Sequence, residues 1–205
     1  MTAQPLLLAT RSAGKLRELR ELFARAGIAV VDLDEAGVKE SPEEDTLETA
    51  ETFEENALAK AHYFASLTGR PVLADDSGLE VVALGGRPGV RSKRWSGRAD
   101  LTGLSLDAAN NQRLLAELRG LTPREARYVC VAAFVDGGEA LTRRGTTSGV
   151  ILEEPRGTGG FGYDPYFFSD ELGKTFGEAT LDEKEQVSHR GRAFRALVVA
   201  LKPRR

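Results

Sequence analysis

The stretch from Pro71 to Gly97, PVLADDSGLEVVALGGRPGVRSKRWSG, constrains this chain more than any other. A short apolar run, Val72-Leu73-Ala74, leads into two adjacent carboxylates, Asp75 and Asp76, and then into Ser77-Gly78. This reads as a strand that ends in Asp-Asp-Ser-Gly, where the backbone turns. Successive strand residues point to opposite faces, so Asp75 and Asp76 are expected to do different jobs. One faces a bound ion while the other is tied to backbone donors. Taken alone, the same four residues also make an ordinary turn. The company they keep in the rest of the chain decides between the two.

At 205 residues with a hydrophobic fraction of 41%, the chain suits one domain, undivided or built as two packed lobes, with a real core. A net charge of −3 removes duplex nucleic acid as the default partner. No segment approaches the roughly 20 apolar residues of a membrane span. Met1-Thr2-Ala3-Gln4 runs straight into a strand-like segment, with no basic region and apolar signal core before it, so a cytoplasmic protein is expected. Cys130 is the only cysteine, which excludes an internal disulfide and a cysteine-based zinc site.

Pro5 to Ala9 predicts a buried first strand and Thr10 to Lys15 a turn after it. The spacing of Leu16, Leu19 and Phe23 predicts a helix closed by Gly27. Thr, Ser, Gly and Lys at a strand-to-helix turn fit a phosphate cradle, since a helix start offers N–H groups and a positive dipole end. They equally fit a routine connection. Ile28 to Val31 predicts a second strand. Between Asp32 and Glu55 stand eleven acidic residues and one basic, Lys39: a solvated acidic surface, from which one acid could serve Mg²⁺. Thr52-Phe53-Glu54-Glu55 fits a capping box for a helix to about Leu67, with Phe53, Ala57, Ala61 and Phe64 inward. Asn56 and Lys60 share a stripe of that helix, so Lys60 either looks toward the acids or sits on the surface. His62 is read as surface.

Ser105 is expected to cap a helix running through Arg119. Ala126 to Val135 is the strongest strand signal, Asp136 to Glu139 a hairpin turn, and Ala140 to Arg144 and Thr146 to Leu152 two returning strands. Antiparallel strands beside strand–helix units predict a mixed sheet. In Pro155 to Pro165 four glycines surround Phe161 and Tyr163. The aromatics either form a platform for a nucleobase or plug the core. Thr180 to Glu183 predicts a capped turn. Ser188-His189-Arg190-Gly191 opens the last helix, with Phe194, Leu197, Val198 and Leu201 facing inward. Positive charge is unfavourable in a helix's first turn, so His189 and Arg190 are expected to face an anion or acceptors, with Lys184 just upstream.

Together these features fit one ligand. Donors at Thr10–Lys15, Lys60, Lys184 and Arg190 suit a polyphosphate, or the oxygens of a base. Asp75 and Asp76 suit magnesium, and Phe161, Tyr163 and Trp95 suit a ring. With no Ser–His–Asp array and no reactive cysteine in view, metal-assisted attack of water on phosphorus is the preferred chemistry.

Five segments in order, LLLATRSAGKLREL, ETFEENALAKA, ADDSGLEVVALGGRPGVRSKRWSG, GTGGFGYDPYFF and EKEQVSHRGRA, make the chain similar nearly end to end to the noncanonical purine nucleoside triphosphate pyrophosphatases. That family is also called inosine triphosphatases or dITP/XTP pyrophosphatases. The resemblance implies an α/β fold of two lobes around a long mixed β-sheet with flanking helices, and a nucleotide groove between the lobes. It also implies a homodimer and Mg²⁺-dependent hydrolysis of ITP, dITP and XTP to the monophosphate and pyrophosphate, with no nucleic-acid or membrane partner. By the same resemblance Asp76 is the general base and a magnesium ligand, Asp75 its catalytic partner, and Glu48 a second metal carboxylate. Thr10, Arg11, Ser12, Ala13, Gly14, Lys15, Lys60 and Ser77 line the triphosphate, while Phe161, Gly162, Tyr163, Asp164, Lys184, His189 and Arg190 form the base pocket.

The chain departs from that pattern twice. The usual T-G-N-x-x-K reads Thr10-Arg11-Ser12-Ala13-Gly14-Lys15, adding a charge at Arg11 whose direction the sequence leaves open. The usual S-A-R-[YW] reads Ser92-Lys93-Arg94-Trp95. Two other readings compete. One is a related housekeeping pyrophosphatase for modified or pyrimidine triphosphates. The other is a nucleotide-binding module without hydrolysis, in which the acids only form turns.

Overall fold

The computed structural model describes residues 4–201; residues 1–3, the lead-in to the first strand, lie outside that range. Seven strands form one mixed sheet in the order β2-β1-β3-β4-β5-β6-β7. They are β1 (Leu6–Leu8), β2 (Val30–Asp32), β3 (Val72–Val81), β4 (Glu125–Asp136), β5 (Glu139–Ile151), β6 (Phe167–Ser169) and β7 (Lys174–Thr175). The helices are α1 (Ala13–Arg25), α2 (Phe53–Thr68), α3 (Gly103–Glu117), α4 (Leu181–Val187) and α5 (His189–Leu201). Among the described residues no helix is long and apolar enough to cross a membrane.

The chain divides into two compact units. The first holds the described residues within 1–76, 130–145 and 190–205. In it β1 pairs in parallel with β2 and with β3, the arrangement that strand–helix–strand crossovers produce. Such strands are covered on both faces, which is why Leu7 and Leu8 are both buried with no polar alternation. The core packs Leu19, Leu22 and Phe23 of α1 against Leu73, Phe134 and the Phe194–Leu197 face of α5. Phe23 and Phe194 meet edge to face, with ring centres 5.8 Å apart.

The second unit holds residues 77–129 and 146–189. There β6 pairs antiparallel with β5 and with β7. Its core gathers Leu79, Val81, Leu114, Leu118, Tyr128 and Phe167. Gly149 sits where β5 meets β6, and a Cβ there would stand 2.2 Å from the Phe168 carbonyl oxygen, so only glycine fits.

Several expected boundaries move. The strand expected to end at Asp-Asp-Ser-Gly runs on unbroken to Val81, so Asp75 and Asp76 lie mid-strand and not in a turn. Helix α1 starts at Ala13, three residues before Leu16, because Ser12 caps it by accepting the Lys15 amide. The two returning strands are one, β5. Helix α3 begins at Gly103 with Thr102 at its cap position, which places Ser105 inside the first turn. The expected capping residue Thr180 does cap α4, in a full reciprocal box with Glu183.

Phe194 is fully buried in the first unit's core. Phe194→Ala is expected to cost about 3–5 kcal/mol, read as a lowered urea midpoint with an unchanged denaturant slope. A midpoint within error of wild type would contradict this packing.

Candidate active site

In the first unit a group of charged side chains is taken out of water around β3. Asp75 is 1% exposed and Asp76 is 5% exposed. Their alternation along the strand gives them different partners, as the pleat requires. Asp75 Oδ2 receives the Lys15 ammonium at 3.0 Å, the Arg190 guanidinium at 3.3 Å and the Cys130 thiol at 3.7 Å. Asp76 Oδ2 accepts the side-chain amide of Asn56 at 2.8 Å. Asn56 is itself fixed by the Ala50 amide, at 2.9 Å. One turn further along α2, Lys60 pairs with Glu48. Lys60 is buried, not a surface lysine.

The two aspartates are tuned in opposite directions. Burial alone would raise Asp75, but the charges of Lys15, Arg190 and Lys60 outweigh it and hold the carboxyl well below its usual range. For Asp76 burial prevails: helped by Glu48, it raises the carboxyl despite Lys15, the Asn56 hydrogen bond and Lys60. Cys130 is pushed up by burial and by Asp75, so it remains a thiol. The Arg190 guanidinium reaches a second acid, Glu18 of α1, at 2.5 Å.

In the second unit the glycine-rich loop forms another cluster. Asp164 Oδ2 holds the Lys184 ammonium and accepts the Phe161 amide at 2.8 Å, while Oδ1 accepts the Tyr128 hydroxyl at 3.3 Å. Lys184 lies over the Phe161 ring, 4.9 Å from its centre. His189 stacks on Tyr128, with ring centres 4.5 Å apart and planes at 7°. Gly160 has φ +72°, and a Cβ there would fall 2.1 Å from Asp164 Oδ2, so the carboxylate occupies the space glycine leaves.

The structure thus brings Lys15, Glu48, Lys60, Asp75 and Asp76 into one group, and Phe161, Asp164, Lys184 and His189 into another. Ser77 follows Asp76 on the strand and is half-buried. Thr10 turns its hydroxyl to the Ser12 amide, and Ala13 and Gly14 form the first turn of α1. Four expectations change. Arg11 spends its guanidinium on Glu44, Asp34 and the Val38 carbonyl, which anchors the acidic loop. Arg190, expected among the base contacts, has Asp75 and Glu18 among its partners. Tyr163 is buried and donates to the Ser92 carbonyl at 2.7 Å. Trp95 is a core residue that lies under Arg113, 4.4 Å from its ring centre. Both aromatics lie in the core of the second unit, as the core-plug alternative had it for Tyr163.

Sequence reasoning passed over Glu18 and the role of Asn56. Glu18 left a signal: an acid among the buried positions of α1, beside Leu19, Leu22 and Phe23. Asn56 left one too, a polar residue one position before the inward-facing Ala57.

The chain belongs to the Ham1 family, whose model matches residues 6–200. It is 49% identical over 201 residues to a dITP/XTP pyrophosphatase of Thermus thermophilus, covering 96% of this chain and 91% of that one. It is 48% identical over 203 residues to a dITP/XTP pyrophosphatase of Frankia alni, covering 96% of each. A solved HAM1 protein structure from Coxiella burnetii superposes with a TM-score of 0.82 at 36% identity, over 98% of this chain and 99% of that one.

Asp75 supplies a pH test. Its depressed carboxyl adds stability that is complete above the unfolded-chain value of about 3.9 and is lost as pH falls toward the folded value. Asp75→Asn should lower the melting temperature at pH 7. The gap from wild type should then narrow steadily below about pH 4. A gap that stays constant down to pH 2.5 would refute the ion-pair assignment.

Proposed function

We propose that this protein is a Mg²⁺-dependent nucleoside triphosphate pyrophosphatase that hydrolyses ITP, dITP and XTP to the monophosphate and pyrophosphate. The observation that carries this reading is the oppositely tuned pair Asp75 and Asp76 on one buried strand. Two carboxyls pushed apart in this way are a recurring mark of acid–base work. The name dITP/XTP pyrophosphatase borne by the relatives supports the substrate class.

In this reading Asp76 is the general base. A carboxylate raised by burial accepts a proton from water more readily than a free one. Asn56 orients it by holding Oδ2. Asp75, kept ionised, fixes Lys15 and Arg190, and so places positive charge beside the base. Lys15, Lys60 and the opening N–H groups of α1 take the phosphates. Phe161, Lys184 and His189 receive the base: donors suit the 6-oxo group of hypoxanthine and xanthine and leave adenine's amino group unpaired.

The donor set fits magnesium. The ion prefers one or two carboxylates, with waters and substrate phosphates completing its shell, so a cage of protein ligands is not required. Among the described residues no group of three or more potential ligands exists. Asp76 and Glu48 would hold it, and among the described residues the buried Asp75 Oδ1 has no hydrogen-bond partner, a spare acceptor on the same strand. When bound, the ion neutralises charge on the departing pyrophosphate. A cytoplasmic homodimer completes the proposal.

A pyrophosphate-release panel of ITP, dITP, XTP, GTP, ATP and dTTP, with and without Mg²⁺, tests it. Release from the first three, abolished by chelation, is expected. Orthophosphate as the first product, or preference for dTTP, would overturn it. Asp76→Asn should lose at least about 100-fold in kcat while still binding ITP. Because burial raises Asp76, its ionised form is a liability to the fold at neutral pH, and that variant should melt no lower than wild type at pH 7. Unimpaired turnover in Asp76→Asn would remove the residue from its role.

A further inference from the structure

Helix α3 carries three polar residues on one side, Asp107, Asn110 and Asn111, at i, i+3 and i+4. None of them is absorbed by the proposed chemistry. Asn110 and Asn111 are buried. Asn110 holds the segment before α3, accepting the Ser96 amide at 2.7 Å and donating to the Lys93 carbonyl at 2.9 Å. The other two grip a single residue of the glycine-rich loop. Asp107 Oδ2 accepts the Gly162 amide at 2.8 Å, and the Asn111 amide donates to the Gly162 carbonyl at 2.9 Å. Both backbone groups of one loop residue are therefore claimed by side chains one helical turn apart.

Gly162 lies between Phe161 and Asp164, the residues that set the aromatic face and the lysine of the second unit. Within the loop the Phe161 amide bonds to Asp164, and the Asp164 amide to the Phe161 carbonyl at 3.3 Å. Those bonds fix the turn's internal shape. They do not fix its position relative to the rest of the unit. A glycine-rich segment has much conformational freedom to lose, so something outside it must hold it. Tyr163 supplies one anchor through its hydroxyl on Ser92. Asp164 adds its bonds to Tyr128 and Lys184, and the Gly159 amide donates to the Gly177 carbonyl at 2.8 Å. The Gly162 clamp is the anchor next to Phe161, and it is charge-assisted on the amide side.

We infer that Asp107 and Asn111 are positioning residues for base recognition, acting through the backbone of Gly162 to hold Phe161 and Lys184 in register. This rests on the proposed assignment of that cluster to the purine. Neither side chain touches the substrate in this arrangement. Their loss loosens the base contacts and leaves the carboxylates of β3 undisturbed.

The test separates KM from kcat. Asp107→Ala should raise KM for ITP about tenfold with kcat within about twofold. It should weaken calorimetric binding of IMP by a similar factor. Inhibition by inorganic tripolyphosphate, which has no base, should keep its constant. Asp107→Asn retains an acceptor for the Gly162 amide and should restore KM to within about threefold of wild type. Asn111→Leu reads the same clamp from the carbonyl side and serves if Asp107→Ala does not fold. An unchanged KM in a folded variant, a matching loss of tripolyphosphate inhibition, or failure of Asp107→Asn to restore KM would each overturn the inference. A wild-type protein that releases no pyrophosphate from any nucleotide would overturn the functional reading and this inference with it. Active wild type with unchanged KM in the variants would overturn this inference alone.

Discussion

One carboxylate oxygen, Asp75 Oδ2, organises the first unit's chemistry. Lys15 from the start of α1, Arg190 from the start of α5 and Cys130 from β4 all converge on it. Removing such ions from water costs several kcal/mol each, so the group persists only because each charge has a partner. Arg190 has a second partner in Glu18, and the Lys15 amide is capped by Ser12. Three elements far apart in the chain are thereby tied to the middle of one strand. The chief product of this arrangement is electrostatic: a fixed positive shell on one side of β3 and a carboxyl of opposite tendency on the next residue. A mid-strand location makes it possible, because the pleat separates neighbours that a turn would have left side by side in solvent.

The second unit uses the same device for a different end. Asp164 is buried and divides its oxygens between Lys184, the Phe161 amide and the Tyr128 hydroxyl. It faces the protein, so its contribution is to arrange the lysine and the loop. Tyr128 extends the order further, stacking with His189 on one hand and with Phe176 on the other. A cation held over an aromatic face, beside a stacked imidazole, is a surface suited to a planar, oxygen-bearing ring.

Much of this could be read from the residues alone. Strand–helix alternation and the hairpin at Asp136 foretold a mixed sheet, and the Phe194–Leu201 periodicity foretold the inward face of α5. The strand at Asp75 was harder. Asp, Ser and Gly favour turns through local bonding, yet here they run on within β3, with Asp75 ion-paired to Lys15 and Arg190 and Asp76 bonded by Asn56; no local pattern reports those long-range partners. Arg11 and Arg190 show the same limit. Sequence supplies a cation, but its direction depends on which acids the fold delivers, Glu44 in one case and Asp75 in the other. For Tyr163 both alternatives were visible and it proves buried; Trp95, expected to suit a ring, proves buried as well. The motif resemblance named residues that the fold gathers into these two clusters, Arg190 apart, yet it is silent on Glu18, Asp107 and Asn111. Those lie on helices whose apolar spacing hides a polar residue that packs inward.

A common logic joins these hidden residues. Glu18, Asn56, Asp107 and Asn111 each sit on a helix, and each holds another group: Arg190, Asp76 and the N–H and C=O of Gly162. Helices are stiff, and a side chain buried against one has few rotamers left, so a bond from a helix fixes its partner more tightly than a bond from a loop. The groups that need accurate placement are a strand carboxylate, a guanidinium and a flexible glycine-rich turn. The first two sit on a strand and on α5, and the third on a loop that is not rigid by itself. It follows that the helices here do more than cover the sheet. They convert a buried apolar scaffold into defined positions for charge, and they do so with polar residues placed where periodicity alone calls for leucine. Such residues are costly to bury unless satisfied: Glu18, Asn56 and Asn111 are buried and Asp107 half-buried, and each of the four has a hydrogen bond to the group it holds.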